Sequence, residues 1–355
     1  LRIALYGALV ISSFWLLSIG KSFLIPLVLA IFVWYLIEAL NGFWKKVKVF
    51  GRPIPGIVPA TLSALVVFFL AYAFLALVAA NVAQMTEAAP EYQQKLTVIY
   101  EDAIEYFGVD ERELTDGIME RFNLGKIVGM IGGALSGLFG NGILIAMYVV
   151  FLLLERQFFD AKLRALVKNE GKRDAVRRAL QQIDREVKIY LLVKIFVSLI
   201  TAVGAYIVMK LVGVDFAQFW AVLIFILNFI PYIGSTVATI LPTVLALAQF
   251  GSLTQPIVVF VGIQAVQMTI GYVVEPTMMG NSLNISPLAV MLALTFWGLF
   301  WGIAGMFLSV PITVIAMIIC SNFESSRWVA VVLSKDGSVK GGNGNGDSHQ
   351  APQGA

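Results

Sequence analysis

The stretch Asn228-Phe229-Ile230-Pro231-Tyr232-Ile233-Gly234-Ser235-Thr236-Val237-Ala238-Thr239-Ile240-Leu241-Pro242 (NFIPYIGSTVATILP) interrupts the most apolar third of the chain. A proline inside a helix removes one backbone hydrogen bond and clashes with the preceding turn. In hydrocarbon, each freed polar group costs several kcal/mol unless protein or water satisfies it. Non-helical backbone at depth therefore survives only where it is buried in protein or lines a wet cavity. Pro231 and Gly234 suit a tight turn between two half-spans, and Asn228 can bond the exposed groups. A plain hinge or a surface loop is the alternative.

That the surroundings are lipid follows from composition. Of the 355 residues, 59% are hydrophobic and 13% charged, with a mean hydropathy of +0.85. A soluble domain averages roughly 45–50% apolar and about 25% charged residues. The excess comes in runs of about 17 to 25 residues, enough to cross a hydrocarbon core as helices. The fold class is an all-α polytopic membrane protein. One cysteine (Cys320) and one histidine (His349) exclude a disulfide framework and leave a Cys/His metal site without ligands. No metal, cofactor or nucleic-acid partner is expected. With no Ser/His pair, intramembrane Asp pair or HExxH, an enzyme is the least supported class.

Charge sorts the chain into regions. Residues 1–83 read as three spans, about 3–19, 22–40 and 57–80. The loop 41–56 carries Lys45, Lys46, Lys48 and Arg52 without an acid. Segment 84–126 holds ten acids against four bases, with Leu96, Ile99, Tyr100, Ile104 and Phe107 at helical spacing. It reads as short amphipathic helices at a wet surface. A Gly-rich span covers 127–154. Segment 155–188, with ten bases against six acids, reads as a solvated helix pair. Lys and Arg accumulate on the cytoplasmic side, so 41–56 and 155–188 lie inside, 84–126 outside, and both termini inside an inner membrane. A core of broken helices follows over 189–320, either as full crossings or as re-entrant hairpins. The tail 321–355 is expected to be largely disordered, being Gly/Asn/Ser-rich from Asp336 onward.

Three constellations carry chemistry. Gly125, Gly129, Gly133 and Gly137 recur at four-residue steps and make a groove for close helix packing, within one subunit or between subunits. A second break, VEPTMMGNSLNISP over 274–287, repeats the order of the first: Pro276 and Gly280 are followed by Pro287 as Pro231 and Gly234 are by Pro242. Paired broken segments point to a transporter binding site. Between the breaks Gln264, Gln267, Gly271 and Glu275 share one helical face, which should look into the bundle. Glu275 is the one acid between Asp215 and Glu324. At depth its carboxyl suits proton binding and release; at a helix end it would instead bind nearby backbone N–H groups. Glu38 and Lys194 read as charges that snorkel to the interface.

The order NFIPYIG, then VEPTMMGNSLNISPLAVMLAL, then GLFWGIAGMFLSVPI resembles the C-terminal half of the autoinducer-2 exporter (AI-2E) family. Asn228, Pro231, Gly234, Glu275, Pro276, Gly280, Pro287, Gly302, Gly305 and Pro311 carry the match, and Ser235 departs from the proline common after that glycine. The resemblance implies about eight membrane helices, homo-oligomers such as pentamers, and secondary transport without nucleotide hydrolysis. The expected solute is small and polar, such as autoinducer-2, coupled to H+ or Na+. A sodium (or lithium)/proton antiporter is the alternative within transport, and an oligomeric membrane scaffold is the alternative from another class. Candidate solute-binding residues are Asn228, Pro231, Gly234, Gln264, Gln267, Glu275, Pro276, Gly280, Asn284 and Pro287, with Glu275 the candidate for ion coupling.

Overall fold

The structure, a computed structural model, describes residues 12, 14–44, 48–49, 52–53, 57–107, 125–126, 129–130, 132–133, 137, 140–280 and 284–338. Most of the acidic stretch beyond Phe107 and the tail beyond residue 338 lie outside these residues. Helical backbone over 14–19 leads into α1 (Lys21–Trp44), followed by a two-stranded ribbon, β1 (Lys48–Val49) and β2 (Arg52–Pro53). Next come α2 (Ile57–Phe107), α3 (Gly142–Glu155), α4 (Phe159–Leu166) and α5 (Glu170–Val212). The core holds α6 (Ala217–Leu227), α7 (Ile233–Phe250), α8 (Thr254–Thr269), α9 (Glu275–Met279), α10 (Pro287–Ser321) and α11 (Arg327–Leu333). Among the described residues, seven helical segments are long and apolar enough to cross a membrane.

The acidic segment departs from the sequence reading. Its first part, 84–107, is the continuation of the 51-residue helix α2 and not a set of short helices. Glu, Ala and Gln, all good helix formers, are among the commonest residues there, and Pro90 is the one strong helix breaker. At 1.5 Å per residue α2 is about 76 Å long, more than twice a hydrocarbon core. Its buried face, Met85, Ala89, Tyr92 and Leu96, shares a core cluster with α6 and α7. Tyr92 Oη donates to the Asp215 carboxylate at 2.7 Å. The basic segment does form a helix pair, with Arg177 donating to Asp160 at 2.7 Å across α4 and α5. The Asn169 side chain caps α5 by accepting from Lys172 N at 3.0 Å.

Two helical hairpins fill the core. The first is α6–α7. Its base is closed beside the end of α5, where Gln249 accepts from Asp215 N at 2.8 Å and donates to Gly213 O at 2.9 Å. Its tip is Asn228–Tyr232, where Tyr232 takes φ 60. Such a φ is strained for an aromatic residue. Pro242 lies buried inside α7.

The second hairpin is α10 itself. Gly302 has φ 60 and ψ −139, and the two halves fold back there. A straight 35-residue helix would separate its ends by about 52 Å. Here both ends are gathered by the short α11, whose Leu333 O accepts from Ser286 N at 2.9 Å. The second reversal is therefore at Trp301–Gly302, not at Pro276–Pro287. The latter stretch is a connection between helices: Pro276 lies in the first turn of α9 and Pro287 in the first turn of α10, the position where proline's missing N–H is harmless. The two hairpins point at each other from opposite ends of α5. Phe229 at the first tip stacks on Phe307, just past the second, with ring centroids 4.7 Å apart.

A close antiparallel contact between α5 and α8 aligns everything else. A Cβ on Gly204 would lie 2.8 Å from Val266 Cγ1, and one on Gly262 would lie 2.6 Å from Val208 Cγ1. The same register carries Lys194 to Glu275.

Candidate functional site

The site is built on one face of α5. Glu186, Tyr190, Lys194 and Ser198 recur every four residues and are all buried. Lys194 Nζ donates to Glu275 Oε1 at 2.7 Å, with side-chain exposures of 8% and 24%. Lys194 is thus no snorkelling interface charge; it is the counter-ion of the acid that the sequence singled out. A π-turn over Ile270–Val274 precedes Glu275. Such bulges re-aim side chains and recur at functional sites.

One turn along α5, Asn228 Nδ2 at the hairpin tip donates to Ser198 Oγ at 3.1 Å. Gln267 Nε2 donates to Ser235 O at 3.1 Å and to Thr239 Oγ1 at 3.0 Å. Thr239 Oγ1 lies 3.5 Å from Gln264 Oε1. The polar stripe of α8 therefore faces α7, not lipid. Asn228, Pro231, Gly234, Gln264, Gln267 and Glu275 thus surround the first tip and the adjoining α5 face.

Pro276, Gly280, Asn284 and Pro287 fall elsewhere. Pro276 and Gly280 are exposed, and Asn284 grips the C-terminal segment: Nδ2 donates to Asp336 Oδ1 and to Ser338 O, both at 2.7 Å. Asn284 Oδ1 accepts from Lys335 N at 3.2 Å. Hydrogen bonds from Ser338 and then Asn284 hold the Asp336 carboxyl down at about 2. A folded value below the unfolded one contributes fully above the unfolded value and is lost as pH falls through the folded one. This latch should accordingly stay closed at neutral pH and open only as pH falls from about 4 toward 2. Amide exchange at Lys335 and Ser338, corrected for intrinsic rates, should match at pH 7 and pH 5. Asn284→Ala should speed it several-fold, and unchanged exchange in that variant would dissolve the latch.

Sequence reasoning missed Tyr190, Ser198 and Thr239, read Lys194 as a snorkelling charge, and held Gly302 only as part of the family match. The four-residue recurrence along 186–198 was the signal for the α5 face. Glu38, also read as snorkelling, is buried and paired with Arg156 of the turn after α3. A Cβ on Gly129, Gly133 or Gly137 would meet nothing within 4 Å, whereas one on Gly132 would lie 3.0 Å from Val82 of α2. Among the described residues, packing within the subunit therefore uses Gly132, and nothing meets Gly129, Gly133 or Gly137. No group of three or more His, Cys, Asp or Glu that could hold a metal occurs among the described residues.

Known proteins place this architecture. A family profile described as AI-2E family transporter matches residues 4–325. A proposed transport protein of Borreliella burgdorferi is 32% identical over 325 residues, covering 89% of this chain and 86% of that protein. A proposed transport protein of Haemophilus influenzae is 28% identical, covering 88% of each. The AI-2 transport protein TqsA of Escherichia coli is 27% identical over 321 residues, covering 88% of this chain and 89% of that one. With apolar helices throughout, a broken-helix core and a match along nearly its whole length, the chain belongs to the AI-2E family of multi-pass membrane transporters.

Proposed function

We propose that the protein is an ion-coupled secondary transporter that exports a small polar solute such as autoinducer-2. The observation that carries this reading is the meeting of two opposed hairpins beside a buried Lys–Glu pair. In this reading the hairpins are re-entrant. α6, at about 16 Å, is too short to cross a core of about 30 Å. Opposed re-entrant hairpins put freed backbone at depth, where irregular backbone is tolerated only in protein or around a cavity. Asn228, Gln264, Gln267 and Thr239 offer the donors and acceptors that a neutral polyol needs. Gln264, Gln267 and Thr239 now bond one another and Asn228 bonds Ser198, as in an occluded site. Shifting one hairpin against the other would release them to a solute.

Glu275 supplies the coupling. Its carboxylate balances a buried ammonium, so a proton or Na+ reaching it releases Lys194. A buried unpaired charge costs several kcal/mol, so ion arrival would favour a rearranged state. The sodium (or lithium)/proton antiporter reading draws on the same pair. The basic segment 155–188 supports a cytoplasmic α4 and cytoplasmic termini at the inner membrane, and the Gly129/Gly133/Gly137 face is where a homo-oligomer, such as a pentamer, would form.

The test uses purified protein in liposomes, with and without a pH gradient and with Na+ present. Labelled autoinducer-2 and proton movement are followed together. Gradient-dependent solute movement is the expected result. Na+-dependent proton movement without solute would install the antiporter, and silence in both with intact oligomers would leave a scaffold. Re-entry is tested by impermeant thiol labelling in a Cys320→Ser background. Tyr232→Cys should label far more slowly than Phe323→Cys from the cytoplasmic side; equal rates would mean that α6 and α7 cross fully.

A further inference from the structure

We propose that the α5 face of Glu186 and Tyr190 is a proton path joining cytoplasmic water to the Lys194–Glu275 pair. This inference rests on the ion-coupled reading and assigns it a route. Glu186 and Tyr190 are each 3% exposed and Lys194 7%, one turn apart along a single helix face. Ionisable groups buried within a membrane bundle are costly and mark ion or proton pathways. Two of their atoms, Glu186 Oε2 and Tyr190 Oη, find no hydrogen-bond partner among the described residues. Buried polar atoms of this kind are ordinarily satisfied by internal water. A cavity of about 330 Å³ lined by Gln181, Gln182, Arg185 and Glu186 reaches the lower end of the row. At the upper end, Tyr190 lies one helical turn from Lys194, whose ammonium holds Glu275 at 2.7 Å.

The neighbours leave this row free to conduct. Arg185 contacts only the other oxygen of Glu186, at 3.4 Å, and Lys188 is engaged by Asp184 at 2.8 Å. From α1, Tyr35 lies near Asp184, while Glu38 is committed to Arg156. The π-turn adds only the exposed Tyr272, α9 adds Glu275, and α6 and α8 bring no ionisable side chain. α10 brings Cys320 alone.

The transfer balances without a co-reactant. A proton from water in the cavity settles on the Glu186 carboxylate. Glu186 then passes a proton, through bridging water, to the Tyr190 oxygen as Tyr190 hands its own hydroxyl proton, through a second bridging water, to Glu275. Tyr190 ends unchanged, Glu275 becomes a neutral acid, and Lys194 keeps its ammonium without its partner. The site gains one positive charge per proton, and the reverse sequence returns it.

The test loads proteoliposomes with a pH-sensitive dye and imposes an acid jump in the presence of Na+ and labelled autoinducer-2. Tyr190→Phe and Glu186→Gln should each slow protein-dependent proton entry by about tenfold or more. Tyr35→Phe, a buried tyrosine off the row, should stay within twofold of wild type. Oligomer elution and melting temperature confirm folding of each variant. As a readout independent of reconstitution, infrared spectra of detergent-solubilised oligomer should show carboxyl protonation after an acid jump, delayed in Tyr190→Phe. Wild-type rates in both row variants would overturn the path while leaving ion coupling intact. A wild-type protein that moves no protons under any of these gradients would overturn the coupling reading and the path with it.

Discussion

Replacing Gly234 or Gly305 by alanine should leave little folded protein. A Cβ on Gly234 would sit 1.7 Å from Leu227 O, and one on Gly305 would sit 1.9 Å from Trp297 O. Both obstacles are backbone atoms, so no side-chain rotation relieves the clash. Leu227 O is also held in place by Ile230 N at 2.8 Å. The hairpin can admit the methyl group only by opening, which also unstacks Phe229 from Phe307. Strain of this type belongs to the class of substitutions that cost about 4 kcal/mol or more. That is a large part of the roughly 5–15 kcal/mol by which proteins are stable. The check is the melting temperature and oligomer yield in detergent. Gly42→Ala, inside α1, serves as comparison, since its added methyl meets nothing among the described residues within 4 Å. Wild-type melting of Gly234→Ala would mean that the first tip is not this tightly turned.

Glu275→Gln should lower stability as well as transport, because it strands the Lys194 ammonium. Lys194 is 8% and Glu275 24% exposed at the side chain, so the loss belongs at the lower end of the range for breaking a buried pair, about 3 kcal/mol. Lys194→Met should behave similarly. The double variant Lys194→Met/Glu275→Gln removes both charges, and replacing a buried pair by uncharged groups is often neutral. It should therefore recover most of the lost melting temperature while remaining inactive in liposomes. Recovery of both stability and ion-driven transport would make the pair purely structural. A double variant whose loss equals the sum of the two single losses would mean that the two charges do not interact across α5 and α9.

Much of the architecture was legible in the chain before any coordinates. Pro231 and Gly234 marked the first tip because prolines and glycines act on their own few residues. Glu275 stood out because an acid is conspicuous within a hundred apolar neighbours. The second tip was hidden, since GLFWGIAG holds no proline and a glycine in an apolar helix most often serves packing. Pro276 and Pro287 drew attention instead, although both occupy first turns of helices, where proline breaks nothing. Continuity of α2 was hidden for the opposite reason. A change from apolar to acidic composition looks like a boundary, but the helix propensity of 84–107 does not change with it.

The sequence alone determined that this is a helical membrane protein with a broken core. Those properties follow from local quantities: the length of apolar runs, the missing proline N–H and the sorting of Lys and Arg. Only the tertiary structure decided that the hairpins oppose each other and that Lys194 is the partner of Glu275, 81 residues away. That pairing depends on the register of α5 against α8, fixed where Gly204 and Gly262 allow the two helices to touch. A contact between distant segments is set by packing of whole helices, and no single stretch of sequence carries it.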